Sequence, residues 1–287
     1  MALKRIFLMM FALIFIIKNT YAINKDFMVG FYSFPNKHYI DLVSNSKIDF
    51  LIPYGTDGMK DKELKEFLNY AEKKNVKIIF SLKDCYKTSK WYPNNNSCAS
   101  DNEELLVKCL VAKYDAYKSL IGYYLSDDGT DTIGSKNLIL YKNHVRNIKA
   151  LSTKKIFVND YPPNKGKLLE VFSQTSDYLI VGLYPIPEKQ PEEVYKVIKE
   201  TVDTYKKPII ALIQAHGKYQ YPFYKRNEIT GRPPSLIEIE QMVNLSIKAG
   251  ASGIIFYSLF DVEKLPDGKE RLEFIKKLIE DLKKGDK

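Results

Sequence analysis

The stretch LIGYYLSDD, residues 120–128, decides the fold, because it is a short apolar and aromatic run that ends in two adjacent carboxylates. A run of this length and composition predicts a buried strand. Seven similar runs occur on either side of it, at 27–34, 48–54, 76–83, 155–159, 178–184, 208–214 and 252–259. Amphipathic stretches of helical periodicity follow the runs. Eight strand–helix units predict an α/β fold with a parallel sheet closed as a single (β/α)8 TIM barrel.

The length of the chain agrees with one barrel. The sequence has 287 residues, of which 45% are hydrophobic, and a (β/α)8 barrel takes about 250 residues. No break in composition divides the chain, so we predict one barrel domain over residues 23–287. An open doubly wound sheet is the alternative. That fold usually has a glycine-rich turn after its first strand, whereas residues 33–38 read SFPNKH, so no dinucleotide or other cofactor is predicted.

The first 22 residues have the pattern of a cleavable secretory signal peptide. Lys4 and Arg5 precede an apolar run over residues 6–17, and a short polar segment ends at Ala22. We therefore expect cleavage after Ala22 and a secreted or periplasmic protein. An uncleaved anchor is the alternative, but the apolar run is shorter than the roughly 20 residues of a spanning helix. No stable membrane insertion is expected after cleavage.

The charge of the chain points away from nucleic acid. The net charge is +9, but the lysines are scattered among glutamates along predicted helices, which is typical of solvated helix faces. No basic run has interleaved aromatic residues. We therefore predict no nucleic-acid partner.

Three cysteines raise the question of a disulfide. Export permits disulfides, and Cys85 and Cys98 bracket the polar segment 87–97, so we predict that these two are paired. Cys109 lies in a helical pattern and is expected to be a buried free thiol. Zinc is not predicted, because there is no CxxC motif and the three histidines are far apart in sequence.

Aromatic and polar residues stand where the predicted strands end. The active site of such a barrel is built at this C-terminal edge of the strands. The chain has 21 tyrosines, so part of this enrichment is expected by chance. The residues predicted to bind a substrate are Tyr32, Tyr54, Tyr124, Tyr184, Gln214 and Tyr257.

The fourth strand leads directly into the candidate acid. Alternation along the strand places Tyr124 and Asp128 inside the barrel, and Ile121, Tyr123 and Leu125 against the helices. A carboxyl group at the mouth would have a raised pKa, as a general acid requires.

Asp128 is therefore the predicted acid, and Asp127 is its electrostatic or hydrogen-bonding neighbour. The alternative is that either aspartate only caps the turn that follows. Trp91 also lies beside the predicted mouth, either as a flat surface for a ligand or as an anchor for its own loop.

At this point a family resemblance can be stated. The segment 122–128, GYYLSDD, resembles the G-[WY]-Y-L-x-D-E segment that ends strand four of glycoside-hydrolase-like barrels. Residues 177–187, 209–217 and 231–261 look like later strands and loops of the same barrels. The resemblance covers roughly residues 27–261. It implies a carbohydrate substrate or ligand and cleavage of a glycosidic bond.

Two departures from that family pattern matter for mechanism. Asp128 stands where the family has glutamate, and Gln214 stands where many retaining relatives have a nucleophilic glutamate. An inverting hydrolase would need a second carboxylate about 6.5–9.5 Å from the acid, for which Asp160 or Asp261 is the candidate.

Two further readings stay open. The first is a carbohydrate-binding barrel that has lost catalysis. The second is metal-assisted hydrolysis by Asp84, Asp128 and His216, although the spacing of these residues has no metal signature.

Overall fold

The predicted barrel is confirmed. The computed structural model describes residues 23, 26–128, 133, 137–160 and 167–284. Eight parallel strands pair in chain order, and the last pairs with the first, so the sheet is closed. The strands are β1 Met28–Ser33, β2 Phe50–Pro53, β3 Lys77–Ser81, β4 Leu120–Tyr124, β5 Lys155–Asn159, β6 Tyr178–Gly182, β7 Ile209–Gln214 and β8 Gly253–Tyr257.

Helices connect the strands on the outside of the barrel. They are α1 Lys37–Val43, α2 Asp61–Lys73, α3 Glu103–Tyr114, α4 Leu138–Leu151, α5 Lys167–Thr175, α6 Glu192–Tyr205, α7 Leu236–Lys248, α8 Leu259–Val262 and α9 Gly268–Lys284. Two 3-10 turns, Lys218–Gln220 and Pro222–Tyr224, lie in the long loop after β7. The predicted signal peptide lies outside the described residues. None of the helices described is long and apolar enough to cross a bilayer.

Side-chain caps define where helices start. The Asn102 side chain accepts hydrogen bonds from the backbone N–H groups of Glu104 and Leu105 at the start of α3. Ser235 and Glu238 form a reciprocal capping box at the start of α7. These contacts satisfy N–H groups that have no partner within a helix, so the loops before α3 and α7 end at defined positions.

The core has two layers, and the fourth strand shows how its residues divide between them. Tyr123 and Leu125 pack in the layer between strands and helices, and Tyr124 packs inside the barrel, as predicted. The prediction was wrong for Ile121, which packs inside. The pairing with β3 shifts register between Ile78 and Ile79, and this irregularity interrupts the alternation.

The close packing of a neighbouring ring explains why a glycine occupies position 122 of this strand. A Cβ at this position would lie 2.4 Å from the ring of Phe157, which fills the barrel interior beside it. The absence of a side chain at Gly122 therefore lets the Phe157 ring pack against the strand backbone.

The predicted disulfide was wrong in its pairing. Cys98 is bonded to Cys109, with a Cα–Cα distance of 5.5 Å, and Cys85 is a buried free thiol. The segment before α3 folds back on the helix and brings Cys98 beside Cys109. The Cys85 thiol instead points at the Asp57 carboxylate, 3.7 Å away.

We expect peptide mapping without reduction to recover a Cys98–Cys109 pair and a free Cys85. Replacing Cys98 and Cys109 together by alanine should lower the free energy of unfolding by about 3 kcal/mol, since a short closed loop in the unfolded chain is released. Denaturant titration measures this loss. A disulfide-linked peptide that contains Cys85 would contradict the pairing.

Candidate active site

Five tyrosines meet at the C-terminal mouth of the barrel, as the sequence predicted. Tyr32 and Tyr124 come from β1 and β4 and are completely buried, so they form the floor. Tyr54, Tyr184 and Tyr257 follow or end β2, β6 and β8 and are partly exposed, so they form the rim. Neighbouring ring centroids lie between 5.2 Å and 6.4 Å apart. Their binding role stays a prediction.

A carboxylate is hydrogen-bonded to this floor. The Tyr32 hydroxyl donates to the Tyr124 hydroxyl at 3.1 Å, and Tyr124 donates to Oδ1 of Asp127 at 2.8 Å. Burial raises the pKa of Asp127, while the charge of Lys83 and the hydrogen bond from Tyr124 act in the opposite direction. The tyrosine floor thus holds the Asp127 carboxyl through a direct hydrogen bond.

Asp128 lies beside this group in a left-handed backbone conformation, with φ of 49°. Its backbone N–H donates to Oδ1 of Asn159 at 3.1 Å. Strand β4 ends at Tyr124, so the alternation that pointed to Asp128 no longer applies at this residue. The charge of Asp128 still raises the pKa of Tyr32 and of Tyr224, after the larger effect of burial. Both aspartates therefore belong to the mouth.

The two candidates for a second carboxylate are engaged with other parts of the barrel. Asp160 is completely buried one residue after Asn159, where alternation turns it toward the helix layer, and its charge acts on Tyr205 of α6. Asp261 accepts hydrogen bonds from Ser258 at 2.6 Å and from Tyr221 at 2.5 Å. These contacts attach the long β7 loop to the loop after β8. Asp261 and Asp127 both raise the pKa of Tyr257, after the larger effect of burial, and the role of Asp160 or Asp261 as a second carboxylate stays a prediction.

Gln214 is buried and its amide is engaged with the backbone. Its Nε2 donates to the carbonyl oxygens of Ile186 and His216, at 3.0 Å and 3.2 Å. Its Oε1 accepts from the backbone N–H of Ile186 at 3.0 Å. The side chain therefore holds the loop after β6 against β7, and the structure places it in a positioning role.

The ring of His216 packs against tyrosines at the mouth of the barrel and is uncharged. It packs edge-on against Tyr184, Tyr221 and Tyr257, at centroid distances of 4.7–5.4 Å. Burial lowers its pKa to about 4, so the ring is neutral near pH 7. The Tyr257 carbonyl oxygen lies 3.3 Å from Nδ1, and because a carbonyl only accepts, Nδ1 carries the proton. Among the described residues, no three His, Cys, Asp or Glu side chains are placed to hold a metal ion.

A charged cluster next to the mouth was only partly visible in the sequence. The ammonium group of Lys83 lies 3.1 Å from Oδ2 of Asp84. The backbone N–H of Asp84 donates to Oδ2 of Asp57 at 3.1 Å. Burial and then the charge of Asp84 raise the pKa of Asp57 to about 7. Asp57 was missed, although its position three residues after Tyr54, in the loop that follows β2, was the available signal.

Comparison with known proteins supports the fold. No protein-family model matches the sequence, and no curated protein matches it. A beta-mannanase from Alicyclobacillus acidocaldarius is 11% identical, with a TM-score of 0.56, over 90% of this chain and 97% of that one. An endo-1,4-beta-D-mannanase from Thermotoga petrophila is 13% identical, with a TM-score of 0.54, over 81% and 87%.

A beta-galactosidase from Marinomonas ef1 is 8% identical, with a TM-score of 0.66, over 81% of this chain and 54% of that one. The chain thus spans nearly the whole of one mannanase and about half of the galactosidase. At these identities the likeness is one of fold. The chain shares the (β/α)8 barrel fold of these solved structures, which is the fold that the resemblance in the sequence implies.

Asp57 should make stability depend on pH. Its pKa is about 7 in the folded chain and 3.8 as the ordinary value, so between these values the folded state keeps a proton that the unfolded state has released. Stability from this residue is therefore present at low pH and lost as pH rises to about 7, by up to about 4 kcal/mol. Asp57→Asn should remove this dependence. Denaturant titrations from pH 4 to pH 8 test it, and parallel curves for the two proteins would refute it.

Proposed function

We propose that this protein hydrolyses a glycosidic bond at the C-terminal mouth of the barrel, with Asp127 as the proton donor. The observation that carries the proposal is the Asp127 carboxyl, held by Tyr124 in a partly exposed mouth and with its pKa raised by burial. A general acid must be protonated when substrate arrives, and desolvation favours that form. Asp127 then gives its proton to the leaving oxygen of the sugar.

The second carboxylate comes from Asp84 or Asp128. The charge of Asp84 contributes to the raised pKa of Asp127, and the charge of Asp128 acts on the tyrosine floor. The ammonium group of Lys83 lies 3.1 Å from Oδ2 of Asp84, so a positive charge stands beside this candidate for the activation of water. Because Gln214 offers an amide at the end of β7, no carboxylate there forms a covalent sugar ester, and the proposal therefore takes the inverting arrangement, in which the second carboxylate activates water.

The tyrosines supply the binding surface. The partly exposed rings of Tyr54, Tyr184 and Tyr257 present flat faces with polar edges, which suit the apolar faces and hydroxyl groups of sugar rings. The solved structures with this fold include enzymes that act on mannans and galactosides, which supports a carbohydrate as the substrate class.

A second candidate function is carbohydrate binding without turnover. The observation that favours it is Gln214, whose amide is bound to backbone on both sides where retaining relatives of the resembled family have a nucleophile. In this case the mouth keeps its aromatic surface, and Asp127 serves only as a hydrogen-bond acceptor for sugar hydroxyl groups.

We also propose that the chain is exported through residues 1–22. The Cys98–Cys109 disulfide supports this, because such bonds persist in oxidising compartments. Sequencing the N-terminus of protein recovered from the periplasm or medium tests the proposal. A mature start at Ile23 is expected, and retention in the cytoplasm would refute export.

The decisive experiment compares Asp127→Asn with the unchanged protein on a broad panel of oligosaccharides and polysaccharides. Hydrolysis should fall by about 10²–10⁴-fold, because the isosteric amide keeps the contact with Tyr124 but has no acid proton to give. Binding measured by calorimetry should remain. Asp84→Asn and Asp128→Asn are assayed separately, and the variant that abolishes turnover identifies the second carboxylate.

Glu66→Gln provides the control, because Glu66 lies on α2 in an exposed ion pair with Lys37. Its activity should equal that of the unchanged protein. Hydrolysis by Asp127→Asn at the rate of the unchanged protein would overturn the assignment of Asp127 as the acid. Glycan binding with no product from any member of the panel would favour the second candidate function.

A further inference from the structure

A second cavity opens beside the mouth, between the loop after β2 and the loop after β3. Its volume is about 740 Å³, which is large enough for a small ligand. Phe34, Tyr54 and Trp91 supply its aromatic walls. Tyr54 also belongs to the rim of the mouth, so the cavity and the mouth share a wall and an extended ligand can occupy both.

Trp91 and Phe34 keep large apolar surfaces in contact with water. The Trp91 side chain is 66% exposed and Phe34 is 44% exposed. Trp91 is therefore not an anchor buried beneath its own loop, which settles one of the alternatives left by the sequence. Exposed aromatic faces that line a concave surface are typical of a ligand site.

Carboxylates line the same cavity. Asp57, Glu63 and Asp84 face it, together with the ammonium groups of Lys83 and Lys90. Oδ1 of Asp57 is buried and has no hydrogen-bond partner among the described residues. A buried carboxylate oxygen without a partner is costly, and a donor from a ligand would relieve that cost. Apart from the Lys83–Asp84 ion pair, Glu63 and Asp57 are the acidic groups among the lining residues, and the Asp57 carboxyl, with a pKa of about 7, is ionised mainly above that pH.

The aromatic walls already hold ammonium groups. Nζ of Lys90 lies 5.2 Å from the centre of the Trp91 ring, and Nζ of Lys83 lies 5.0 Å from that of Tyr54. These are cation–π distances. Lys90 is exposed and is free to leave the Trp91 face, whereas Lys83 is held by its ion pair with Asp84. A ligand ammonium group can thus replace that of Lys90 over Trp91.

We propose that this cavity binds a sugar unit with a free amino group, such as glucosamine, as part of the oligosaccharide that occupies the mouth. The proposal rests on the carbohydrate function proposed above and names its substrate class. An ammonium group gains from the carboxylates and from the Trp91 face together. An anionic sugar is repelled by Glu63 and, above about pH 7, by Asp57, and an N-acetylated sugar has no charge to interact with them.

Calorimetry with the purified protein tests this by comparing two ligands of equal length. The probes are the β-1,4-linked tetramer of glucosamine and its fully N-acetylated counterpart. The glucosamine tetramer should bind about tenfold more tightly, and its affinity should fall as salt is raised, because the attraction between charges is screened.

Two variants and one matched control locate the site. Trp91→Ala should weaken binding of the glucosamine tetramer by about tenfold, and Glu63→Gln should weaken it by about threefold. Glu66→Gln lies one turn along the same helix α2 and outside the cavity, so it should change nothing. Thermal unfolding of each variant confirms that the fold is retained.

The outcomes separate this inference from the function on which it rests. Equal affinity for the two tetramers would overturn the amino-sugar preference and leave hydrolysis of neutral glycans at the mouth intact. Preference for the glucosamine tetramer that survives both Trp91→Ala and Glu63→Gln would place its site elsewhere and also overturn the inference. Failure to bind or cleave any glycan would remove the proposed function itself.

Discussion

Hydrogen bonds from Tyr32 to Tyr124 and from Tyr124 to Asp127 connect the barrel interior to the carboxyl group that is proposed as the proton donor. A carboxylate among aromatic rings loses most of its hydration, and an uncompensated buried charge would be expelled or neutralised. The phenol of Tyr124 supplies one partner, and Lys83 supplies an opposite charge. Tyr124 and Lys83 follow from the paired strands β4 and β3, whereas Tyr32 comes from β1, which is not a neighbour of β4 in the sheet. Barrel closure therefore supplies the Tyr32 hydroxyl that contacts Tyr124.

The surrounding groups act on Asp127 in opposite directions, and burial keeps its pKa raised. Burial works against the charge of Lys83, but Asp127 and Asp84 outweigh it and raise the pKa of the ammonium group. Lys83 is consequently shared between two carboxylates and fully compensates neither. Asp84 has further partners, a direct ion pair and the Ser89 hydroxyl at 2.7 Å, whereas burial dominates at Asp127. The two nearby aspartates therefore have different surroundings, as the proposed acid and its partner carboxylate require.

The fold was predictable because it depends on the apolar composition of each strand, which can be read from the sequence alone. A strand covered on both faces is apolar along its whole length, and eight such runs in alternation with helices leave few other topologies. The tyrosines at the mouth followed from the same rule, since a residue at a strand end inherits the orientation of its strand. The position of the Asp127 carboxyl did not follow from this rule. Strand β4 ends at Tyr124, and Asp128 adopts a left-handed conformation that alternation along a strand does not describe.

The cysteine pairing and Asp57 were unpredictable for another reason. Three cysteines allow three pairings, and the path of the loop before α3 decides among them. The pKa of Asp57 depends on its distance from Asp84, which belongs to a different strand end. The pattern of residues along the chain contains no information about distances between residues on different strands. Site residues that gain their properties from neighbours on other strands therefore require coordinates.

Gln214 shows that a position at the mouth does not by itself assign a residue to binding. The residue lies at the end of β7 and points inward, but both ends of its amide are bound to the backbone of Ile186 and His216. A carboxylate there would lose the hydrogen bond that Nε2 gives to the Ile186 carbonyl and would meet that oxygen with a like charge. The loop after β6 would then lose its attachment to β7. The amide is thus explained by the local backbone, and the proposed mechanism therefore takes its carboxylates from the ends of β3 and β4.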